Sequence, residues 1–148
     1  MIEHHIDIET NDGTMATFIS HPDADGPYPV VLFLMDAPGK REELHDMARR
    51  ISATGYYVML PNLYYREVRS FTLHREDPAS AEYMFKLMSN LRNDMVARDA
   101  KKMIAYADAD VVADASRIGV TGYCMSGPFA LWLSAEFPDV IKSAASIH

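Results

Sequence analysis

Six stretches of the chain carry the apolar patterns of β-strands. The first two alternate apolar and polar residues and are separated by the turn sequence Thr10-Asn11-Asp12-Gly13, which predicts an antiparallel hairpin. The third and fifth are continuous apolar runs rich in β-branched residues, typical of strands covered by helices on both faces of a parallel sheet. The predicted strands span residues 3–8, 15–20, 29–35, 56–60, 117–121 and 143–148.

Helical patterns lie between these strands. They cover residues 40–53, 79–107 with a break near 90–93, and 125–136. A hairpin followed by alternating helices and strands predicts an α/β fold, with parallel strands after the hairpin, right-handed crossovers and helices on both faces. We expect residues 1–148 to form a single domain whose sheet stops in about the sixth strand. The connection from Asn62 to Pro78 is expected to run over the carboxyl ends of the strands, where such sheets bind ligands.

Composition narrows the classes of function. The chain has 148 residues, 49% of them hydrophobic, and a formal net charge of −7, which argues against binding to nucleic acid phosphates. Its longest apolar run, Val30 to Met35, is too short for a membrane helix, and the acidic N-terminus is unlike a signal peptide. We therefore expect a cytoplasmic protein. The single cysteine, Cys124, cannot form an intrachain disulfide, which leaves a buried apolar residue, a reactive thiol or an intermolecular link.

The segment from Arg117 to Gly127 has the layout of a nucleophile elbow. A buried strand runs directly into Gly122-Tyr123-Cys124-Met125-Ser126, and a helical pattern follows. The turn at such an elbow is so sharp that the residues two before and two after the nucleophile must be small, which Gly122 and Ser126 satisfy. Cys124 would then project above the sheet at the start of a helix, where free N–H groups favour a nucleophilic thiolate. The alternative is an ordinary core cysteine.

Acyl transfer at Cys124 also needs hydrogen-bond donors for the oxyanion. In this layout they are the N–H after the nucleophile and one from the loop after the third strand, here Met125 and Ala37. Asp36 stands at the end of that strand. Its carboxylate is either functional or a cap for the helix that begins near Lys40, and the sequence leaves both interpretations open.

Three segments together resemble the dienelactone hydrolase family of α/β-hydrolases. They are Met35-Asp36-Ala37-Pro38-Gly39, Pro61-Asn62-Leu63-Tyr64-Tyr65-Arg66 and Gly122-Tyr123-Cys124-Met125-Ser126-Gly127. The resemblance covers the whole chain, about the first three fifths of a usual member. It implies a hydrolase without metal or organic cofactor that cleaves a small ester or lactone through a thioacyl intermediate on Cys124, with Tyr123, Tyr64 and Arg66 among the substrate contacts.

The chain departs from the family pattern at three places. The family has Glu where this chain has Asp36, and that carboxylate is thought to hold the resting thiol and exchange its proton; the shorter Asp reaches less far. Ser126 replaces a usual Gly. The family's arginine for a substrate carboxylate has no clear counterpart among Arg66, Arg69 and Arg75. A generic carboxylic ester or lactone is therefore the substrate we expect.

The acid and the histidine that complete such a site follow the nucleophile in chain order, and no residue follows His148. We expect His4, His5, His21 and His45 to be solvated or edge residues, with His74 alone in the loop above the strands. An apolar sheet edge would be left open, so we expect either a longer natural chain or pairing of that edge in a homo-oligomer. The competing hypotheses are a catalytically incomplete module for binding or dimerisation, and a thiol-based sensor.

Overall fold

A mixed sheet of six strands forms the centre of this computed structural model, which describes residues 1–24 and 26–148. The strands are β1 (Ile2–Thr10), β2 (Gly13–His21), β3 (Tyr28–Leu34), β4 (Tyr57–Pro61), β5 (Ala113–Tyr123) and β6 (Ile141–Ile147). The helices are α1 (Glu42–Ser52), α2 (Pro78–Asn90), α3 (Asn93–Asp108) and α4 (Gly127–Glu136), and a 3-10 turn at Cys124–Ser126 precedes α4.

The strand order is β1-β2-β4-β3-β5-β6. The hairpin β1–β2 is antiparallel, β2 joins β4 in antiparallel fashion, and the remaining pairs are parallel. The chain moves from β3 to β4 in one direction across the sheet and from β4 through β5 to β6 in the other. Right-handed crossovers therefore place α1 on one face and α3 and α4 on the other. The α/β fold with an N-terminal hairpin, predicted from the sequence, is confirmed.

The hydrophobic core is centred on β3, whose continuous apolar run predicted a buried strand, and on its neighbour β4. Leu32, Leu34, Met59 and Leu60 have no exposed surface. Strand β5 begins four residues before its predicted start, because its first residues pair with Tyr28 and Pro29 ahead of an irregularity in the register. Small and polar residues fill this first part of β5, so it lacks the apolar pattern that reveals a strand.

Two of the histidines lie in surroundings that the sequence did not predict. His4 and His5 are exposed on the edge strand β1, as expected. The same expectation was wrong for His21 and His45, which are buried. The His45 ring stacks on Phe18 with 4.3 Å between ring centroids. A flat imidazole can cover an aromatic face as an apolar residue does, which polarity along the chain cannot reveal.

The register of β3, β5 and β6 gathers three strand ends at one place. Leu34, the last residue of β3, pairs with Gly122 of β5, and Gly122 pairs on its other side with Ser146 of β6. The loop after β3 and the turn after β5 are therefore neighbours at the carboxyl edge of the sheet. None of the helices in the described part of the chain is both long and apolar enough to cross a membrane.

Candidate active site

Cys124 occupies the turn between β5 and α4. Its φ angle is 53°, in the left-handed region that residues with a side chain rarely adopt, and its side chain is exposed. Such backbone strain costs about 1–3 kcal/mol and is concentrated at functional sites. A cysteine held outside the core in a strained conformation does not fit the alternative of a core-filling residue.

The turn around Cys124 is too tight for larger residues. A Cβ atom placed on Gly122 would overlap the backbone carbonyl of Ser126. A Cβ on Gly127 would overlap the hydroxyl of Ser146 on the neighbouring strand β6. The Ser146 hydroxyl ends a side chain that can rotate away, whereas the Ser126 carbonyl is fixed backbone. A small residue is therefore required at Gly122, as it is two residues before the nucleophile in a nucleophile elbow.

Ser126 joins the elbow to the end of β3. Its hydroxyl is fully buried and donates a hydrogen bond of 2.5 Å to the backbone carbonyl of Met35. A glycine could not make this bond. Ser126 thus holds the loop after β3 against the turn that carries Cys124.

The loop after β3 forms a turn in which the N–H of Ala37 points outward. The Gly39 N–H donates to the Asp36 carbonyl at 3.1 Å. The peptide between Asp36 and Ala37 is trans, so its N–H points opposite to that carbonyl. Within residues 1–24 and 26–148, the Ala37 N–H has no hydrogen-bond acceptor. A buried, unbonded N–H beside the elbow is what an oxyanion hole requires.

The carboxylate of Asp36 binds a guanidinium in this structure. Arg41 donates two hydrogen bonds to its oxygens, at 2.6 and 3.0 Å, and a third of 2.9 Å to the Gly39 carbonyl. Among the described residues, no hydrogen bond joins Asp36 to Cys124. Arg41 is itself the N-terminal boundary residue of α1, and that boundary has no side-chain cap. The alternative that Asp36 caps this helix is therefore wrong.

Arg41 is a site residue that the sequence analysis missed. It follows Asp36 by five residues and crosses the turn to reach it. The proximity of an Arg to an Asp at a predicted strand end was the available signal, but the pairing depends on the turn geometry, which sequence patterns do not specify.

Tyr64 lies directly behind the predicted oxyanion donors. Its side chain is buried, and its hydroxyl donates to the Ala37 carbonyl at 2.7 Å, with the Met125 sulfur as a second acceptor at 3.3 Å for the same hydrogen. Burial raises the pKa of this phenol, and the nearby charges of Asp36 and Cys124 raise it further. The hydroxyl therefore remains a neutral donor at physiological pH.

The other two predicted substrate contacts have different surroundings. Tyr123 follows Gly122, packs on Phe33 with 4.8 Å between ring centroids, and lines a cavity of about 510 Å³ over β3, β5 and β6. Arg66 points away from the elbow and forms a bidentate ion pair with the buried Asp99, with hydrogen bonds of 2.8 and 2.9 Å. The structure thus brings Tyr64 and Tyr123 near Cys124 but does not bring Arg66 there.

The two remaining arginines of the long connection are also separated. Arg69 pairs with Asp7 on the edge strand. Arg75 lines a cavity of about 260 Å³ together with Arg41, Phe71 and Pro38 of the loop after β3. His74 is exposed, and among the described residues no histidine forms a hydrogen bond with the Cys124 thiol.

A mixed sheet with parallel central strands, and a strained turn at Cys124 between a buried strand and a helix, match the α/β-hydrolase fold. Residues 15–148 match the model of the dienelactone hydrolase family, and the chain belongs to that family.

Curated relatives and solved structures match most of this chain. A Methylorubrum extorquens protein named "Putative carboxymethylenebutenolidase" is 27% identical over 99% of this chain and 48% of its own length. The carboxymethylenebutenolidase of Pseudomonas putida is 25% identical over 92% of this chain and 57% of its own. A crystal structure titled "Putative Dienelactone Hydrolase" from Klebsiella pneumoniae superposes with a TM-score of 0.79, at 27% identity, over 93% of this chain and 56% of that one. The chain spans about half the length of the curated relatives it matches.

Proposed function

We propose that this chain carries the nucleophile and oxyanion hole of a hydrolase that cleaves a small carboxylic ester or lactone through Cys124. One observation carries the proposal: the only cysteine of the chain is exposed, with a φ angle of 53°, in a strand-to-helix turn that has no space for a side chain at Gly122. Membership of the dienelactone hydrolase family supports it.

The chemistry follows from the position of the thiolate. The Cys124 sulfur attacks the carbonyl carbon, and the carbonyl electron pair moves to the oxygen. The N–H groups of Ala37 and Met125 donate to that oxyanion. When the carbonyl re-forms, the bond to the alkoxide breaks, and the alkoxide leaves with the proton that the Cys124 thiol gave up. Water then attacks the thioester, releasing the acid and restoring the thiol.

The other candidate site residues enter the proposal with different support. Tyr64 is supported by its contacts with Ala37 and Met125, and Tyr123 by its place next to the nucleophile. Asp36 is retained as a catalytic candidate, although its carboxylate binds Arg41 here. Arg66 has the weakest support, because Asp99 occupies its guanidinium.

We further infer a small-molecule substrate, a cytoplasmic setting for the free thiol, and catalysis without metal or organic cofactor. Pairing of two chains through the sheet edge stays a prediction. Each of these inferences rests on the family and the sequence pattern.

The test compares the protein as it occurs in its source with two variants, Cys124→Ala and Cys124→Ser. Hydrolysis of p-nitrophenyl acetate and of a simple unsaturated lactone is followed by absorbance and product analysis. We expect both substrates to be cleaved, and Cys124→Ala to lose more than about 10³-fold in kcat, as removal of a nucleophile does. Unchanged hydrolysis in Cys124→Ala contradicts the proposal. Oxidation of Cys124 by peroxide without cleavage of any ester favours the thiol-sensor hypothesis, and ligand binding without either reaction favours the binding module.

A further inference from the structure

The backbone at Tyr64 is held by hydrogen bonds that do not involve its hydroxyl. It lies in the turn after β4, where its backbone N–H donates to the Asn62 side-chain carbonyl at 3.1 Å. The Asn62 amide in turn donates to the carbonyls of Val68 and Arg69 at 2.8 and 3.0 Å. Asn62 is itself buried. A buried amide therefore holds the backbone of the turn that carries Tyr64.

The ring of Tyr64 then reaches across to both segments of the predicted oxyanion hole. A Cβ atom placed on Gly39 would lie 3.6 Å from this ring, and the rings of Tyr64 and Phe71 meet edge to face with 6.3 Å between centroids. From this position the hydroxyl donates to the Ala37 carbonyl, with the Met125 sulfur as its second acceptor. These two residues come from different loops, one after β3 and one after β5, and Tyr64 comes from a third.

We propose that Tyr64 is a positioning residue for the oxyanion hole, whose hydroxyl holds the Ala37 and Met125 segments at the separation at which their N–H groups converge on one oxygen. This inference rests on the proposed function and gives Tyr64 a specific role in it. Tyr64 does not touch the reacting atoms, because its hydroxyl is directed at a carbonyl and a thioether rather than at the thiol.

The geometry of the Ala37 segment explains why one hydroxyl matters. The peptide that carries the Ala37 N–H is held on one side, where Gly39 donates to the Asp36 carbonyl. The next peptide, which carries the Ala37 carbonyl and the nitrogen of Pro38, has no N–H of its own to hold it. Tyr64 supplies that missing restraint. With both peptides fixed, the φ and ψ angles of Ala37 are fixed, and so is the direction of its N–H.

Tyr65 provides a matched control within the same turn. Its hydroxyl also makes two hydrogen bonds of 2.8 Å, a part-buried one with Thr10 and a buried one to Asp99, but these lie on the side of Arg66 and away from Cys124. Tyr64→Phe and Tyr65→Phe each remove one phenolic oxygen and leave the ring. Tyr64→Phe removes the contact with the loop after β3, whereas Tyr65→Phe removes the contacts with Thr10 and Asp99.

The experiment measures single-turnover acylation of Cys124 by p-nitrophenyl acetate across ester concentrations, in the protein as it occurs in its source. We expect Tyr64→Phe to lower the maximal acylation rate about tenfold to a hundredfold, less than the loss of a whole donor, with little change in the half-saturating concentration. Alkylation of the thiol by iodoacetamide, which develops no oxyanion, should stay within about twofold of wild type. Tyr65→Phe should leave both rates unchanged while lowering the thermal midpoint.

Two results overturn the inference. One is a Tyr64→Phe protein that is acylated at the wild-type maximal rate. The other is an equal loss in acylation and alkylation, which would mean that the thiol and not the oxyanion hole is disturbed. If Tyr64→Phe fails to fold, Met125→Leu removes only the sulfur acceptor and should give the same selective loss to a smaller extent. Absence of any acylation in wild type contradicts the proposed function itself, and is thereby distinguished from failure of the role of Tyr64.

Discussion

Gly122 is the position where one added methyl group should damage the elbow most. Its Cβ would overlap the Ser126 carbonyl and lie against the nitrogen of Gly127, and both are backbone atoms. A backbone atom cannot rotate away as a side chain does. The Gly122→Ala variant must therefore open the turn that places Cys124 above the sheet.

The size of the effect follows from the nature of the clash. Overpacking in a dense region costs about 1–3 kcal/mol, and a clash with fixed backbone belongs at the upper end. About 3 kcal/mol corresponds to a fall in thermal midpoint of roughly 6–12 °C for a domain of this size. A displacement of about 1 Å at the nucleophile should also slow acylation of Cys124 about a hundredfold.

Gly119 supplies the matched control on the same strand. A Cβ there would meet the Ser143 hydroxyl at 2.7 Å, but that hydroxyl ends a side chain that can rotate away. Differential scanning calorimetry and p-nitrophenyl acetate burst kinetics should therefore separate Gly122→Ala from Gly119→Ala. If the two variants share the same midpoint and burst rate, the steric account of the elbow is refuted.

Three further predictions test neighbouring contacts. Ser126→Ala leaves the buried Met35 carbonyl without its donor and should cost about 1–3 kcal/mol in urea unfolding; no change would contradict a structural role for that hydrogen bond. If the ion pair of Arg41 with Asp36 only anchors the loop after β3, Arg41→Gln and Asp36→Asn should slow acylation of Cys124 equally. If Asp36 instead exchanges a proton with the thiol, Asp36→Asn alone should change the pH profile of acylation. Burial lowers the pKa of His45 below its ordinary 6.5, so the folded state favours neutral imidazole, and the free energy of unfolding should fall as pH drops below about 6.5. His45→Gln should lack that fall, as judged by urea titrations across this range.

Most of the fold could be predicted because apolar patterning is strong in its centre. The continuous apolar runs of β3 and β5 and the alternation of β1 and β2 are the patterns expected for burial on two faces and on one face. The ends of strands could not be predicted where small or polar residues form them, as in the first part of β5. The register that brings Leu34 beside Gly122 depends on pairing between distant segments, which no local pattern encodes.

The elbow could be located from sequence because its steric demand falls on near neighbours in the chain. Gly122 and Ser126 had to be small, and both are visible in the sequence around Cys124. The contacts that hold the oxyanion loop could not be predicted in the same way. The bond from Tyr64 to Ala37 spans 27 residues, and the bond from Ser126 to Met35 spans 91.

Charged side chains were the hardest to place. Arg66 follows Tyr64 by two residues, and the sequence segment that they share predicted both to lie near the site. Arg66 instead pairs with the buried Asp99. A buried carboxylate needs a partner, and the cost of leaving Asp99 unpaired outweighs any preference that the sequence of the loop suggests. Arg41 pairs with Asp36, whose side chain is only partly buried, because the turn at Gly39 brings the two side chains together.

The central claim is that Cys124 is the nucleophile. It is tested most directly by treating the protein with p-nitrophenyl acetate, quenching it in acid within the burst, and locating the acetyl group by mass spectrometry of peptides. We predict one acetyl group as a thioester on Cys124, sensitive to neutral hydroxylamine and absent in Cys124→Ala. Acetylation confined to lysines or tyrosines, or burst release that persists in Cys124→Ala, would contradict the account.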